Sequence, residues 1–188
     1  MTDVERPIIA AFQEFIQRMP IFSPAIFFIA EILPYVLLAG IAVFFAWRAH
    51  DGGQRRLVAV YGIVGCVAAI ISRFGITVFI RMLVDRPRPF EVLSFQPLFS
   101  HDIGHAFPSG HAAFFFAFLP FVFVRSKQAG IIYAIGIFFM GLARVAAGVH
   151  WPTDIVAGAV VGIVSGYTLL RVLQRFSRMS TTQKTHLQ

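Results

Sequence analysis

Two apolar stretches constrain this chain more than anything else in it. Ser23 to Trp47 is interrupted only by Glu31 and Pro34, and Leu57 to Ile80 carries the single charge Arg73. Each exceeds the roughly 20 residues that a helix needs to cross the hydrocarbon core of a bilayer. Each therefore reads as a spanning helix. Three more are expected: Ser109 to about Val124, about Ala129 to Ala147, and Asp154 to about Leu173. The last repeats Gly158, Gly162 and Gly166 at four-residue spacing, which lets a neighbouring helix approach closely. The charged fraction is 13%, against roughly 25% in soluble domains, and the mean hydropathy is +0.75. Both agree with an integral membrane protein.

The remaining segments complete the expected organisation. Residues 4 to 18 place Val4, Ile8, Ile9, Phe12, Phe15 and Ile16 at helical spacing, with Glu14, Gln17 and Arg18 elsewhere, as suits a short helix lying at the membrane interface. The loop from Arg81 to Phe107 holds Pro87, Pro89 and Pro97 and is expected to contain no spanning structure. The expected fold class is thus an all-α integral membrane protein with five transmembrane helices plus an N-terminal interfacial helix. Its parts are an interfacial segment 1–20, a membrane-embedded unit 21–175 and a loose polar tail 176–188. Met1 to Arg6 lack a basic stretch followed by an apolar core, so no cleaved signal peptide is expected. The single cysteine, Cys66, lies in an apolar run and excludes an intramolecular disulfide or a thiolate-clustered metal site.

Five spans fix which ends share a side. The second ends at Arg81, the third begins at Ser109, the fourth ends near Arg144 and the fifth begins at Asp154, so four polar clusters emerge on one face. The opposite face carries Arg48, Arg55, Arg56, Arg125, Lys127, Arg171, Arg175, Arg178 and Lys184, and the motif face, with the motif residues Arg81, Arg88 and Arg144 set aside, only Arg6, Arg18 and Arg86. The positive-inside rule puts that basic face, with the C-terminus, in the cytoplasm. The motif face then looks outward, which in a bacterium is the periplasm or exterior. The net charge of +7 is explained by this topology, and no nucleic-acid partner is expected.

Three polar clusters on the motif face can do chemistry. Arg81, followed after six residues by Arg88 and Pro89, offers guanidinium groups that suit phosphate oxygens on a proline-stiffened loop. Two interfacial anchors are the plainer reading. Phe107-Pro108-Ser109-Gly110-His111 opens a helix whose free N–H groups and positive dipole end form an anion seat, with Ser109 as cap or donor and His111 as a general acid. Alone, it is equally an ordinary cap. Ala143 to Asp154 brings together Arg144, His150 and Asp154. His150 reads as a nucleophile toward phosphorus, with Asp154 both helix N-cap and holder of the imidazole tautomer.

Taken together, the clusters resemble the type 2 phosphatidic acid phosphatase superfamily. That family's pattern is a lysine, six residues, then Arg-Pro; next Pro-Ser-Gly-His; then Ser-Arg, five residues, His, three residues and Asp. Arg81, Arg88 and Pro89, then Pro108 to His111, then Arg144, His150 and Asp154 meet it, over about residues 57 to 173. Arg81 replaces the usual lysine, and Ala143 replaces a serine hydroxyl. The resemblance implies a helical bundle in which His150 attacks phosphorus to give a phosphohistidine and Asp154 orients His150. His111 would protonate the leaving oxygen and later activate water. Arg81, Arg88, Ser109, Gly110 and Arg144 would hold the phosphoryl oxygens. No cofactor or metal is implied, and the nearby carboxylates Asp85, Glu91 and Asp102 are too scattered for a two-metal centre. His101 and His105 read as surface or lid residues, and His50 and His186 as bystanders on the other face.

Glu31 and Arg73 are isolated charges within spans, each eight residues and so roughly 12 Å below the motif face. They are expected to pair with one another. The expected substrate is a lipid phosphate or diphosphate reaching the site from the membrane. The chain is similar to small bacterial undecaprenyl-diphosphate phosphatases of the superfamily, acting in the inner membrane. Phosphatidylglycerophosphate, phosphatidic acid and lipid A 1-phosphate are same-chemistry alternatives. A lipid-linked phosphotransferase and a non-catalytic lipid-binding or transport protein are others, and no obligate protein partner is inferred. Vanadium haloperoxidases share the motifs on a soluble scaffold that does not match this hydrophobic chain.

Overall fold

The computed structural model describes residues 2–51, 55–99 and 103–185, and among them every regular element is helical. α1 is Thr2–Arg18, α2 Pro20–His50, α3 Arg55–Leu83, α4 Pro89–Val92, α5 Gly110–Arg125, α6 Lys127–Ala146 and α7 Pro152–Thr185. α2, α3, α6 and the Pro152–Ser177 part of α7 are long and apolar enough to cross a membrane. α5, with 16 residues, has the expected length but is shorter than the roughly 20 residues of a full crossing. At 1.5 Å per residue it measures roughly 24 Å against a hydrocarbon core of about 30 Å.

α5 is nonetheless the centre of the bundle. Ala112, Ala113, Ala117, Phe118 and Phe121 are fully buried on it. Ser72 of α3 donates its hydroxyl to the Ala113 carbonyl at 3.0 Å, and the Tyr133 hydroxyl of α6 donates to the Phe115 carbonyl at 2.9 Å. The glycine repeat of α7 packs directly on it. A Cβ at Gly158 or Gly166 would collide with the carbonyls of Ser109 or Ala117, and one at Gly162 would stand 2.5 Å from the Ala113 carbonyl. The main core, around Phe45, Val58, Tyr61, Phe118, Phe121, Ile137 and Met140, joins α2, α3, α5 and α6. Large side chains such as Val43, Ile63, Phe79, Ile132, Phe138 and Val164 point outward, as lipid-facing surfaces require.

Boundaries differ from expectation in three places. α6 begins at Lys127 because Ser126 caps it, its hydroxyl accepting from the Ala129 N–H at 3.3 Å. α7 begins at Pro152, two residues before Asp154, because proline is pre-set for the first helical position. The same helix continues through the expected loose tail to Thr185, since nothing between Tyr167 and Thr185 is a glycine or proline. Both isolated charges lie in π-helical turns, Glu31 in Phe28–Ile32 and Arg73 in Ile71–Ile76. Such turns rotate the side chains that follow and often mark functional positions.

α1 packs against the loop end of the bundle. Ile9 and Phe12 join Ala106, Val145, Trp151, Val92, Leu93 and Phe95 in an apolar cluster. Its other face leaves Val4, Ile8 and Phe15 exposed. Gly162→Ala should lower stability by about 1–3 kcal/mol through overpacking against α5. Gly40→Ala, with nothing within 4 Å of the added methyl, should leave the thermal midpoint in the same detergent unchanged or slightly raised.

Candidate active site

The three motif clusters are tied to one another by hydrogen bonds to main-chain carbonyls. Arg81, in the last turn of α3, donates from Nε and Nη2 to the Pro108 carbonyl at 3.2 and 2.9 Å, which joins the first cluster to the second. The Ser109 N–H donates to the Asp154 carbonyl at 2.9 Å, joining the second to the third. Arg88 Nη1 donates to the Val149 carbonyl at 2.7 Å, joining the third back to the first. Separate stretches of sequence thus form one closed cluster at the loop end of α3, α5, α6 and α7.

Within that ring each expected residue has a definite place. Ser109 is buried and caps α5, its hydroxyl accepting from the Ala112 N–H at 3.5 Å. Gly110 is the first residue of α5 and His111, half-buried, the second. Arg88 and Arg144 are 3% and 0% exposed. Gly148 makes the turn from α6 toward α7 at φ +77°, a conformation that suits glycine, and a Cβ there would strike the Phe95 ring. That turn delivers His150, 1% exposed, with Nδ1 3.5 Å from Asp154 Oδ2. Nε2 is therefore the ring nitrogen that Asp154 leaves for chemistry.

Asp154 is not the N-cap of its helix. As the third helical residue, it turns back so that Oδ2 accepts from the Trp151 N–H at 2.8 Å, half of a capping box. Its other oxygen, Oδ1, accepts from Arg86 Nη1 at 2.5 Å. Arg86 had counted only as one more charge on the motif face. It also lies over the Trp151 ring, and Trp151 donates Nε1–H to the Pro87 carbonyl at 2.9 Å. Glu5 of α1, likewise missed, accepts from Arg86 Nη2 and from the Thr153 N–H and hydroxyl. A signal for Glu5 was present, because Glu5, Ile9, Phe12 and Ile16 fall on one helical stripe.

The expected Glu31–Arg73 pair is not formed. Glu31 Oε2 stands 3.8 Å from Arg144 Nη1, which also donates to the Ala30 carbonyl at 3.0 Å. Arg73 instead lies against the start of α5, with Nη1 3.3 Å from where a Cβ on Gly110 would stand. The two charges lie in π turns of different helices, and their side chains meet different neighbours. Ala143, where the resembled family has serine, packs with Ala30, Ala147 and Val149 and lets the Glu31 turn approach α6. Glu91, one of the loop carboxylates, accepts from the Arg88 N–H at 2.7 Å and from the Gly104 N–H, bracing the loop. His105 and Asp85 are exposed and 3.6 Å apart, while His101, Asp102 and His186 lie outside the described residues.

The chain is similar to known proteins over the stretch that holds these residues. The family described as the PAP2 superfamily matches residues 59–178, which include all three clusters. The bacitracin transport permease protein BcrC of Bacillus licheniformis is 30% identical over 145 residues, 76% of this chain and 68% of that protein. The undecaprenyl-diphosphatase BcrC of Bacillus subtilis is 27% identical over 141 residues, 74% of this chain and 70% of that protein. The crystal structure of a transmembrane PAP2-type phosphatidylglycerolphosphate phosphatase from Bacillus subtilis superposes with a TM-score of 0.66 at 19% identity. It covers 93% of this chain and 86% of that one, a likeness of fold.

A double-mutant cycle on denaturant stability separates the observed pair from the expected one. Glu31→Gln with Arg144→Lys should couple by about 0.5 kcal/mol or more, as contacting residues do, and Glu31→Gln with Arg73→Leu by less than about 0.5 kcal/mol.

Proposed function

The chain belongs to the PAP2 superfamily and is a phosphatase of that family, and on that premise we propose that it hydrolyses a lipid phosphate or diphosphate through a phosphohistidine at His150. The observation that carries this reading is the buried His150–Asp154 pair closed into one ring with Arg81, Arg88, Ser109 and Arg144. Arg88 and Arg144 are buried and Arg81 is half-buried; held by their hydrogen bonds, these cations can meet charge that develops on a transferring phosphoryl group without reorganising.

The proposed reaction has two displacements. In the first, His150 Nε2 forms a bond to phosphorus as the bond to the leaving oxygen breaks, and His111 gives that oxygen its proton. In the second, a water oxygen attacks phosphorus, its proton passes to His111, and the N–P bond breaks to release phosphate and neutral His150. Arg81, Arg88 and Arg144, with Ser109 and the Gly110 N–H at the positive end of α5, hold the phosphoryl oxygens through both steps. Asp154 faces Nδ1 and compensates the imidazolium charge. Neither step calls for a metal.

Undecaprenyl diphosphate is the proposed substrate, supported by the name of the Bacillus subtilis relative and by its coverage of most of this chain. The phosphatidylglycerolphosphate phosphatase supports only the shared fold. We read α5 as the fifth crossing, its shortfall in length met by its place inside the bundle, and α1 as lying at the interface with Val4, Ile8 and Phe15 toward lipid. The catalytic unit is then 21–175, with the ring outside a bacterial inner membrane and the C-terminus in the cytoplasm.

Purified protein in chelator should release phosphate from undecaprenyl diphosphate faster than from phosphatidylglycerophosphate, phosphatidic acid or lipid A, and His150→Ala should lower release by at least about 10⁴-fold. Unchanged release in that variant sinks the nucleophile assignment, and a faster competitor replaces the substrate. Phosphorylated lipid or sugar product would mark a phosphotransferase. A cysteine in place of Ile103, 80% exposed in the loop before Ser109, in a chain with Cys66 replaced, should react with an impermeant reagent from outside intact cells. Labelling only after lysis would reverse the orientation.

A further inference from the structure

A chain of buried polar groups runs from α1 into the ring. Glu5 is only 5% exposed, although it carries a carboxylate. Its Oε1 accepts from the Thr153 N–H at 2.9 Å and from the Thr153 hydroxyl at 2.8 Å, and its Oε2 accepts from Arg86 Nη2. Arg86 Nη1 then donates to Thr153 Oγ1 at 2.7 Å and to Asp154 Oδ1 at 2.5 Å. The Arg86 side chain is 12% exposed and that of Asp154 0%. Asp154 Oδ2 faces His150.

The charges of this chain set what His150 experiences. Arg86 alone beside Asp154 would leave the imidazole facing a neutral pair, with little to stabilise a positive ring. Glu5 supplies a second carboxylate, so two carboxylates and one guanidinium carry a single net negative charge. The two-pronged guanidinium meanwhile fixes Asp154 in place, with one nitrogen on each carboxylate. Because Asp154 Oδ2 also accepts from the Trp151 N–H, its orientation is held from both sides. Charge and alignment are both delivered from outside the ring.

We propose that Glu5 and Arg86 are positioning residues for the phosphoryl transfer. Arg86 locks the Asp154 carboxylate, and Glu5 locks Arg86 while keeping the assembly negative as His150 becomes a phosphorylated, positively charged ring. This rests on the phosphohistidine reading above. Glu5 lies outside residues 59–178, the stretch matched by the family, so it is a contribution of the N-terminal helix to the site. The simpler role for Glu5 is to dock α1. Gln13 offers the comparison, since its Nε2 donates to the Ala146 carbonyl at 3.0 Å and attaches the same helix without touching Asp154.

The test measures kcat and KM for phosphate release by the full-length protein and by Glu5→Gln, Glu5→Asp, Arg86→Lys, Gln13→Ala and His150→Ala, with thermal midpoints alongside. Loss of a charge-assisted hydrogen bond predicts that Glu5→Gln and Arg86→Lys each lower kcat by about 10-fold or more while KM moves less than about 3-fold. Glu5→Asp, which keeps the charge, should recover most of kcat. Gln13→Ala should lower the midpoint and leave kcat at the level of the parent protein. The proposal is overturned if Glu5→Gln keeps the parent kcat, if Gln13→Ala loses as much kcat as Glu5→Gln, or if Glu5→Asp is no better than Glu5→Gln. Full activity in His150→Ala would instead remove the phosphohistidine reading, whatever the Glu5 variants do.

Discussion

The arrangement depends on how closely α7 can lie on α5. With no side chain at Gly158, Gly162 or Gly166, the carbonyls of Ser109, Ala113 and Ala117 sit where Cβ atoms would otherwise stand. That approach aligns the starts of the two helices, and only then can the Ser109 N–H reach the Asp154 carbonyl. In a lipid environment, where hydrophobicity hardly favours one helix face over another, such backbone proximity supplies much of the specificity of association. The site inherits its geometry from a contact that contains no catalytic group.

Arginine has a double use in this ring. Arg81, Arg88 and Arg144 each donate to a main-chain carbonyl, of Pro108, Val149 and Ala30 respectively. A planar group with five N–H donors can brace a loop with one edge and address a phosphate with another, which a lysine cannot do as rigidly. This gives physical content to the replacement of lysine by Arg81. Reach is exchanged for a two-point hold on the loop that leads into α5.

Much of this was readable beforehand because it depends on local or parity rules. Long apolar runs located α2, α3, α6 and α7, the capping preference located the start of α5, and the alternating direction of successive helices put the motifs at one end. What escaped was direction around a helix axis. Glu31 and Arg73 were placed at matching depths, but π turns rotate them, and Glu31 meets Arg144 while Arg73 meets the start of α5. Asp154 was seen as a cap because Asp commonly is one, yet Pro152 moved the helix start and made it the third residue. Arg86 and Glu5 escaped for a different reason. Nothing local shows that residues 5, 86 and 153 meet, and a charge on an amphipathic helix reads as solvated until its stripe is compared with Ile9, Phe12 and Ile16.

The bond between Glu5 and Thr153 spans 148 residues, from α1 to the start of α7. At 5–20 residues per second, synthesis separates the two partners by roughly 7–30 s. During that interval α1 has emerged, while the helix start and the loop it packs on have not all been made. A partly synthesised chain therefore has the arginines of the first motif in the membrane without the carboxylate and imidazole that complete the ring. Assembly of the site waits for α7, which carries Asp154 and the docking point for α1 and follows His150 by two residues.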